Sequence, residues 1–159
     1  MALSALRRAQ DAMIAACAAV SVLSFVGLAV LILADVATRN LGIGFAWALE
    51  GSEYLMMIGG FVGAPWVLRR GGHVAIDVVV QMLGASRQAR LARASDAMGL
   101  VICAPLTLIA ADALFKARAS GALVFKTLIF PEWWLMIPVT ACFALMTLEF
   151  ALRAATGAK

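Results

Sequence analysis

The chain has 159 residues, 64% of them hydrophobic and 14% charged, with a mean hydropathy of +0.98 and a net charge of +4. A soluble domain devotes about a quarter of its residues to charge, so this composition excludes an ordinary water-soluble domain, a disordered tail and a nucleic-acid-binding module. Lipid has to cover what water otherwise would, and a bilayer core about 30 Å thick takes about 20 helical residues per crossing, so the length suits four crossings.

From Ala12 to Ala34 there is no charge, and Asp11 and Asp35 bound the run, which predicts a first span over about 12–34. Arg7 and Arg8 ahead of Ile14-Ala15-Ala16-Cys17 imitate a lipoprotein signal. Gln10 and Asp11, however, stand where its apolar stretch belongs, so the run is expected to remain a membrane anchor. The second apolar run, Tyr54 to Leu68, is short. A helix over about 46–70 places Glu50 and Glu53 near one interface beside Trp47. Inside it Gly59 and Gly63 stand four apart, as do Gly60 and Ala64, a spacing that lets two helix backbones approach closely.

Between the second and third spans, His73, Asp77 and Gln81 share one helical face, and Ile76, Val79, Val80 and Leu83 share the other. This predicts an interfacial amphipathic helix over about 73–84, entered by a turn at Gly71 and Gly72. The third span is expected over about 90–114 with a kink at Pro105, and the fourth over about 132–153. Pro131 reads as a helix start ahead of the interfacial anchors Trp133 and Trp134, and Pro138 as a bend. The expected fold class is therefore all-α integral membrane: four transmembrane helices with an interfacial amphipathic helix between spans two and three, forming a single domain over 1–159.

Lys and Arg divide unevenly between the two sides. Arg7, Arg8, Arg69, Arg70, Arg87, Arg90, Arg93, Arg153 and Lys159 fall on one, and Arg39, Lys116, Arg118 and Lys126 on the other. The positive-inside rule then puts both termini in the cytoplasm.

Candidate chemistry is sparse. His73 is the sole histidine, so with Asp77 it reads as a structural pair, since no nucleophile or second imidazole accompanies it. Cys17, Cys103 and Cys142 lie in apolar runs without metal-site spacing and read as small apolar residues. Three acid-first i,i+4 pairs, Asp35 with Arg39, Asp112 with Lys116 and Glu149 with Arg153, read as solvated helix ends. Between those ends the spans offer only the hydroxyls of Ser21, Ser24, Thr107, Thr140 and Thr147, expected to bond back to their own helices. A transporter that binds its solute normally places polar side chains or broken helices at mid-depth, so this chain reads as a scaffold, anchor or accessory subunit.

The sequence resembles the small membrane subunit, DctQ-like, of tripartite ATP-independent periplasmic (TRAP) transporters. Asp35-Val36-Ala37-Thr38-Arg39 leaves span one, Trp47-Ala48-Leu49-Glu50-Gly51-Ser52-Glu53-Tyr54 opens span two, and Arg69-Arg70-Gly71-Gly72-His73-Val74-Ala75-Ile76-Asp77 follows it. Arg39, Trp47, Glu50, Gly72, His73 and Asp77 carry the match, and Leu49 departs from it where many members place an acid. The resemblance implies a location in the bacterial inner membrane and a non-catalytic role without cofactor. It implies as partners a large multi-span elevator subunit driven by an ion gradient, and a periplasmic substrate-binding protein for organic acids. Residues for structure or interfaces are then Arg39, Trp47, Glu50, Gly59, Gly63, Arg70, Gly72, His73 and Asp77, with no catalytic, substrate-binding or metal residue expected. A tripartite tricarboxylate transporter subunit, also four-span, and a membrane anchor of a redox enzyme are the alternatives. The Gly-His-x-x-x-Asp stretch favours the first reading over the former, and the lone histidine disfavours the latter.

Overall fold

The computed structural model describes residues 2–70 and 85–156. Helix α1 (Ala2–Arg39) leads into α2 (Ala48–Arg69), followed by α3 (Ala85–Ser120), the short strands β1 (Leu123–Phe125) and β2 (Ile129–Pro131), and α4 (Trp133–Thr156). The interfacial helix expected over 73–84 lies outside the described residues.

Each helix forms on a run of Ala, Leu, Val, Ile and Met without interior charge, and each extends beyond the charge-free part. α1 begins well before Asp11 and ends at Arg39, because a helix continues into water wherever its residues tolerate it, whereas apolarity marks only the lipid-matched part. Gly42 (φ 79°) makes the turn that ends α1, and Gly121 (φ 63°) stops α3, both in the left-handed region that a Cβ disfavours. α3 runs through Pro105 and α4 through Pro138 as single helices.

α1, α3 and α4 are long and apolar enough to cross a membrane. α2 has the length but not the composition, because Glu53, three glycines after Gly51, and Pro65 dilute its apolar residues. The solvent preference of the surface points the same way as composition. Leu23, Leu33, Val101 and Leu108 are about 70% exposed, while Gln10, Ser21, Ser24 and Glu149 are buried. Such an inverted arrangement is stable only where the surrounding medium is hydrocarbon. The chain is a multi-pass membrane protein, helical among the described residues apart from a small β-hairpin.

α1 packs along α2, α3 along α4, and α2 joins the two pairs by contact with α4. Phe61 meets Phe143 edge-on across that junction, with ring centroids 6.3 Å apart. Close approach of α3 to α4 depends on Gly99, where a Cβ would collide with the Phe150 ring. Hydroxyls also stitch helices together, which extends the expectation that they serve their own helix. Thr107 and Thr147 hydroxyls lie 2.9 Å apart between α3 and α4. Thr140 donates to the Ala110 carbonyl at 3.2 Å as well as to Met136 in its own helix at 2.8 Å. In hydrocarbon such interhelical bonds contribute about 0.6 kcal/mol each on average.

The hairpin replaces the plain loop and helix start that Pro131 suggested. Val124 pairs with Phe130 in antiparallel register, flanked by Leu123 with Pro131 and Phe125 with Ile129. Lys126, Thr127 and Leu128 form the turn, and the Glu132 amide donates to the Ala122 carbonyl at 3.0 Å to close the base. Pro131 is thus the last strand residue, where its missing N–H is tolerated on an edge.

Candidate functional site

Polar side chains gather at the two ends of the bundle, and the two gatherings differ in depth. At the end where α2 finishes, Glu149 of α4 is only 8% exposed. It accepts hydrogen bonds from the Gln10 amide at 3.0 Å and from Arg153 Nε at 2.9 Å. Arg69 of α2 lies 3.9 Å from the same carboxylate and forms an ion pair with Asp11 of α1. Arg153 also donates to the Leu68 carbonyl at 3.0 Å and lies 4.0 Å from Asp96 of α3. The last carbonyls of a helix have no partner within it, so this arginine satisfies the end of α2. All four helices are therefore tied at one level by two carboxylate–guanidinium centres. The reading of Glu149 and Arg153 as a solvated pair is corrected here, because α1 and α2 cover the carboxylate. Asp35 with Arg39 and Asp112 with Lys116 do form their pairs, at 2.5 Å and 2.6 Å, with the basic side chains exposed.

At the other end, Glu50 in the first turn of α2 spans the tip of the hairpin. Its two carboxylate oxygens accept the Thr127 amide at 2.8 Å and the Leu128 amide at 3.0 Å. One turn along, Glu53 accepts from Lys126 Nζ at 2.9 Å. The Glu53 carboxylate holds the Lys126 ammonium above its ordinary pKa through that hydrogen bond and its charge. Beneath the turn, Phe130 meets Tyr54 edge-on at 5.1 Å and lies 6.3 Å from Trp134. The hairpin thus has an inner face, Val124 and Phe130, and an outer face on which Phe125 is 78% and Ile129 65% exposed. Trp47, at the N-cap of α2, packs its ring against the backbone at Gly51 and against Phe45.

Gly59 and Gly63 face α1. Ser21 donates to the Gly59 carbonyl at 2.7 Å, and a Cβ on Gly63 would stand 2.5 Å from the Ser21 oxygen. A Cβ on Gly59 would be 3.1 Å from the Phe25 ring, whereas one on Gly60 would meet nothing within 4 Å. Of the two small-residue pairs in the sequence, the one containing Gly59 and Gly63 therefore carries the helix contact inside this chain.

Among the other residues singled out in the sequence, Arg39 closes α1 beside Asp35, and Arg70 follows α2 with its guanidinium 4.8 Å from the Trp66 ring centre. Gly72, His73 and Asp77 lie outside the described residues. The structure brings Trp47 and Glu50 to the hairpin end, Gly59 and Gly63 to the α1 contact, and Arg70 to the opposite end. These residues do not converge on one site. Sequence reasoning passed over Gln10 and the turn amides of Thr127 and Leu128. The apolar, strand-favouring triplet Leu123, Val124 and Phe125, a three-residue break containing Lys126 and Thr127, and a second apolar triplet were the available signal for the hairpin.

Among the described residues no three of His, Cys, Asp and Glu group in a way that could hold a metal. The buried Cys142 thiol contacts the Met146 sulfur at 3.7 Å. What the polar groups do is tie backbone and charge together at both ends of an apolar bundle. That is the construction of an integral membrane component. Residues 28–159 match the family model of tripartite ATP-independent periplasmic transporters, DctQ component, and the chain belongs to that family as a small membrane subunit. No curated protein matches it.

Proposed function

We propose that this chain is the fixed, non-catalytic scaffold of an ion-gradient-driven uptake system for organic acids. All four long helices cross the inner membrane in this reading, α2 being admitted as a span by the partners on either side of it. The cation asymmetry puts both termini and the Arg69 end in the cytoplasm, and the hairpin at the periplasmic face. A large elevator subunit packs against the apolar outer surface. The segment with Gly72, His73 and Asp77 braces that assembly from the cytoplasmic interface. The hairpin, fixed by Glu50, contributes to docking the soluble binding protein.

The observation that carries this reading is the confinement of charge. Every ion pair described above lies at one of the two ends, and among the described residues the hydrogen bonds that join helices between those ends come from hydroxyls. A subunit that held an ionic solute needs polar groups at mid-depth. The test is reconstitution. The chain alone in sodium-loaded or sodium-free liposomes is expected to take up no organic acid, and uptake is expected to appear only with the large subunit and the binding protein present. Gradient-driven uptake by the isolated chain would overturn the proposal.

A further inference from the structure

At the Arg69 end a shallow groove of about 380 Å³ opens between α1 and α2, lined by Asp11, Ile14, Ala15, Trp66, Arg69 and Arg70. Its polarity changes with depth. Ile14 lies one turn inward from Asp11, and Trp66 one turn inward from Arg70, so within about 5 to 6 Å along the helices the wall passes from charged to apolar. Ile14 is 2% exposed and forms the floor, whereas Trp66 and Arg70 present themselves at the surface.

The charges at the rim do not cancel. Asp11 is paired with Arg69, and Arg69 is shared with Glu149. Arg70 has no ion pair among the described residues. Its guanidinium stands 4.8 Å from the centre of the Trp66 ring, a cation–π contact that engages no anion. Arg8, one turn before Asp11 on α1, is exposed and adds a second positive charge at this level. The groove therefore offers a guanidinium above an apolar floor at the edge of a membrane-embedded bundle.

We infer that this groove binds an anionic phospholipid, with the headgroup phosphate on Arg70 and the glycerol and first acyl methylenes against Ala15 and Trp66, over the buried Ile14. A free anion would match the rim and leave the floor bare, and a neutral lipid would match the floor and leave Arg70 unpaired. A phosphodiester on two acyl chains satisfies both over the observed distance. Basic pockets between helices at a membrane surface recognise such headgroups for the same reason. The inference requires that the bundle is membrane-embedded and is independent of the scaffold role and of the transported solute.

The experiment is native mass spectrometry of the full-length chain in mild detergent, titrated with phosphatidylglycerol. Arg70→Gln is compared with Arg90→Gln, an exposed arginine at the start of α3 outside the groove. Arg70→Gln is expected to lower retention of the first bound lipid about fivefold, the factor for one cation at an anionic surface, and Arg90→Gln to leave it near wild type. Trp66→Ala is expected to weaken retention as well. Diacylglycerol with the same acyl chains is expected to bind poorly in every case, and inorganic phosphate not to displace phosphatidylglycerol. Because Arg70 is exposed, thermal unfolding of its variant is expected to match wild type, which separates lost binding from lost fold. Equal retention by Arg70→Gln and wild type, equal losses for both arginine variants, or displacement by inorganic phosphate would each overturn the assignment.

Discussion

The two ends of this bundle use the same chemistry, carboxylates against cations and amides, in different surroundings. At the Arg69 end Glu149 and Gln10 are buried, their partners come from α1, α2 and α4, and Arg153 extends the cluster to Asp96 of α3. At the hairpin end Glu53 and Lys126 are exposed and Glu50 is only partly covered, and the three join α2 to a three-residue turn. A buried carboxylate has exchanged water for protein partners and depends on every one of them, whereas an exposed one can return to water when a partner is lost. The first arrangement therefore holds the bundle, and the second positions a surface element.

The sharpest way to break this contrast is Glu149→Ala. It leaves Arg153, Arg69 and the Gln10 amide without their common acceptor in a desolvated site, and removing one partner of a buried charge pair costs about 3–5 kcal/mol. Thermal unfolding of the full chain in detergent is expected to shift strongly downward. Glu149→Gln, which keeps an acceptor oxygen for Arg153, is expected to fall between the two. A wild-type transition for Glu149→Ala would mean that the cluster is as dispensable as a surface pair.

Gly63→Leu tests the bundle between its ends. The added side chain would start 2.5 Å from the Ser21 oxygen, and overpacking a close contact costs about 1–3 kcal/mol. Gly60→Leu is the matching control, since its Cβ meets nothing within 4 Å inside the chain. Gly63→Leu is expected to lower the unfolding temperature and Gly60→Leu to leave it unchanged. If Gly60→Leu alone abolished recovery of the large subunit, the face carrying Gly60 would be the interface of the proposed complex.

These glycines show what sequence alone makes legible in such a chain. Charge-free runs revealed the helices and the spacing of Gly59 and Gly63 revealed a contact, because both follow from local periodicity. Which helix lies opposite is not local: the partner proved to be α1, through Ser21 and Phe25. Glu149 read as a solvated end because its i,i+4 arginine is visible in sequence. The covering residues, Gln10 and Arg69, are distant along the chain. The hairpin was missed since three-residue strands carry too little alternation to stand out between two long apolar runs. The acid at Glu50, legible from resemblance, acquired a physical role only when two backbone amides were found on its oxygens.

The smallest effects are expected at the hairpin, and they separate local order from global stability. Glu50→Gln removes the charge and leaves one acceptor oxygen for two amides, so the Thr127 and Leu128 amides are expected to exchange with solvent faster while the unfolding temperature hardly moves. A large drop in that temperature would place this end on the same footing as Glu149. Lys126→Gln is expected to do less still, because Lys126 contributes one exposed ion pair and no backbone contact to the clasp. Glu53 raises the Lys126 pKa above its ordinary value of 10.5, so the folded pKa exceeds the unfolded one. Whatever the pair contributes is then fully present at neutral pH and is lost only as pH rises through the raised value. Amide protection at Leu128, corrected for intrinsic exchange, should therefore stay flat through neutral and mildly alkaline pH. A decline centred near neutrality would show that another group controls the turn.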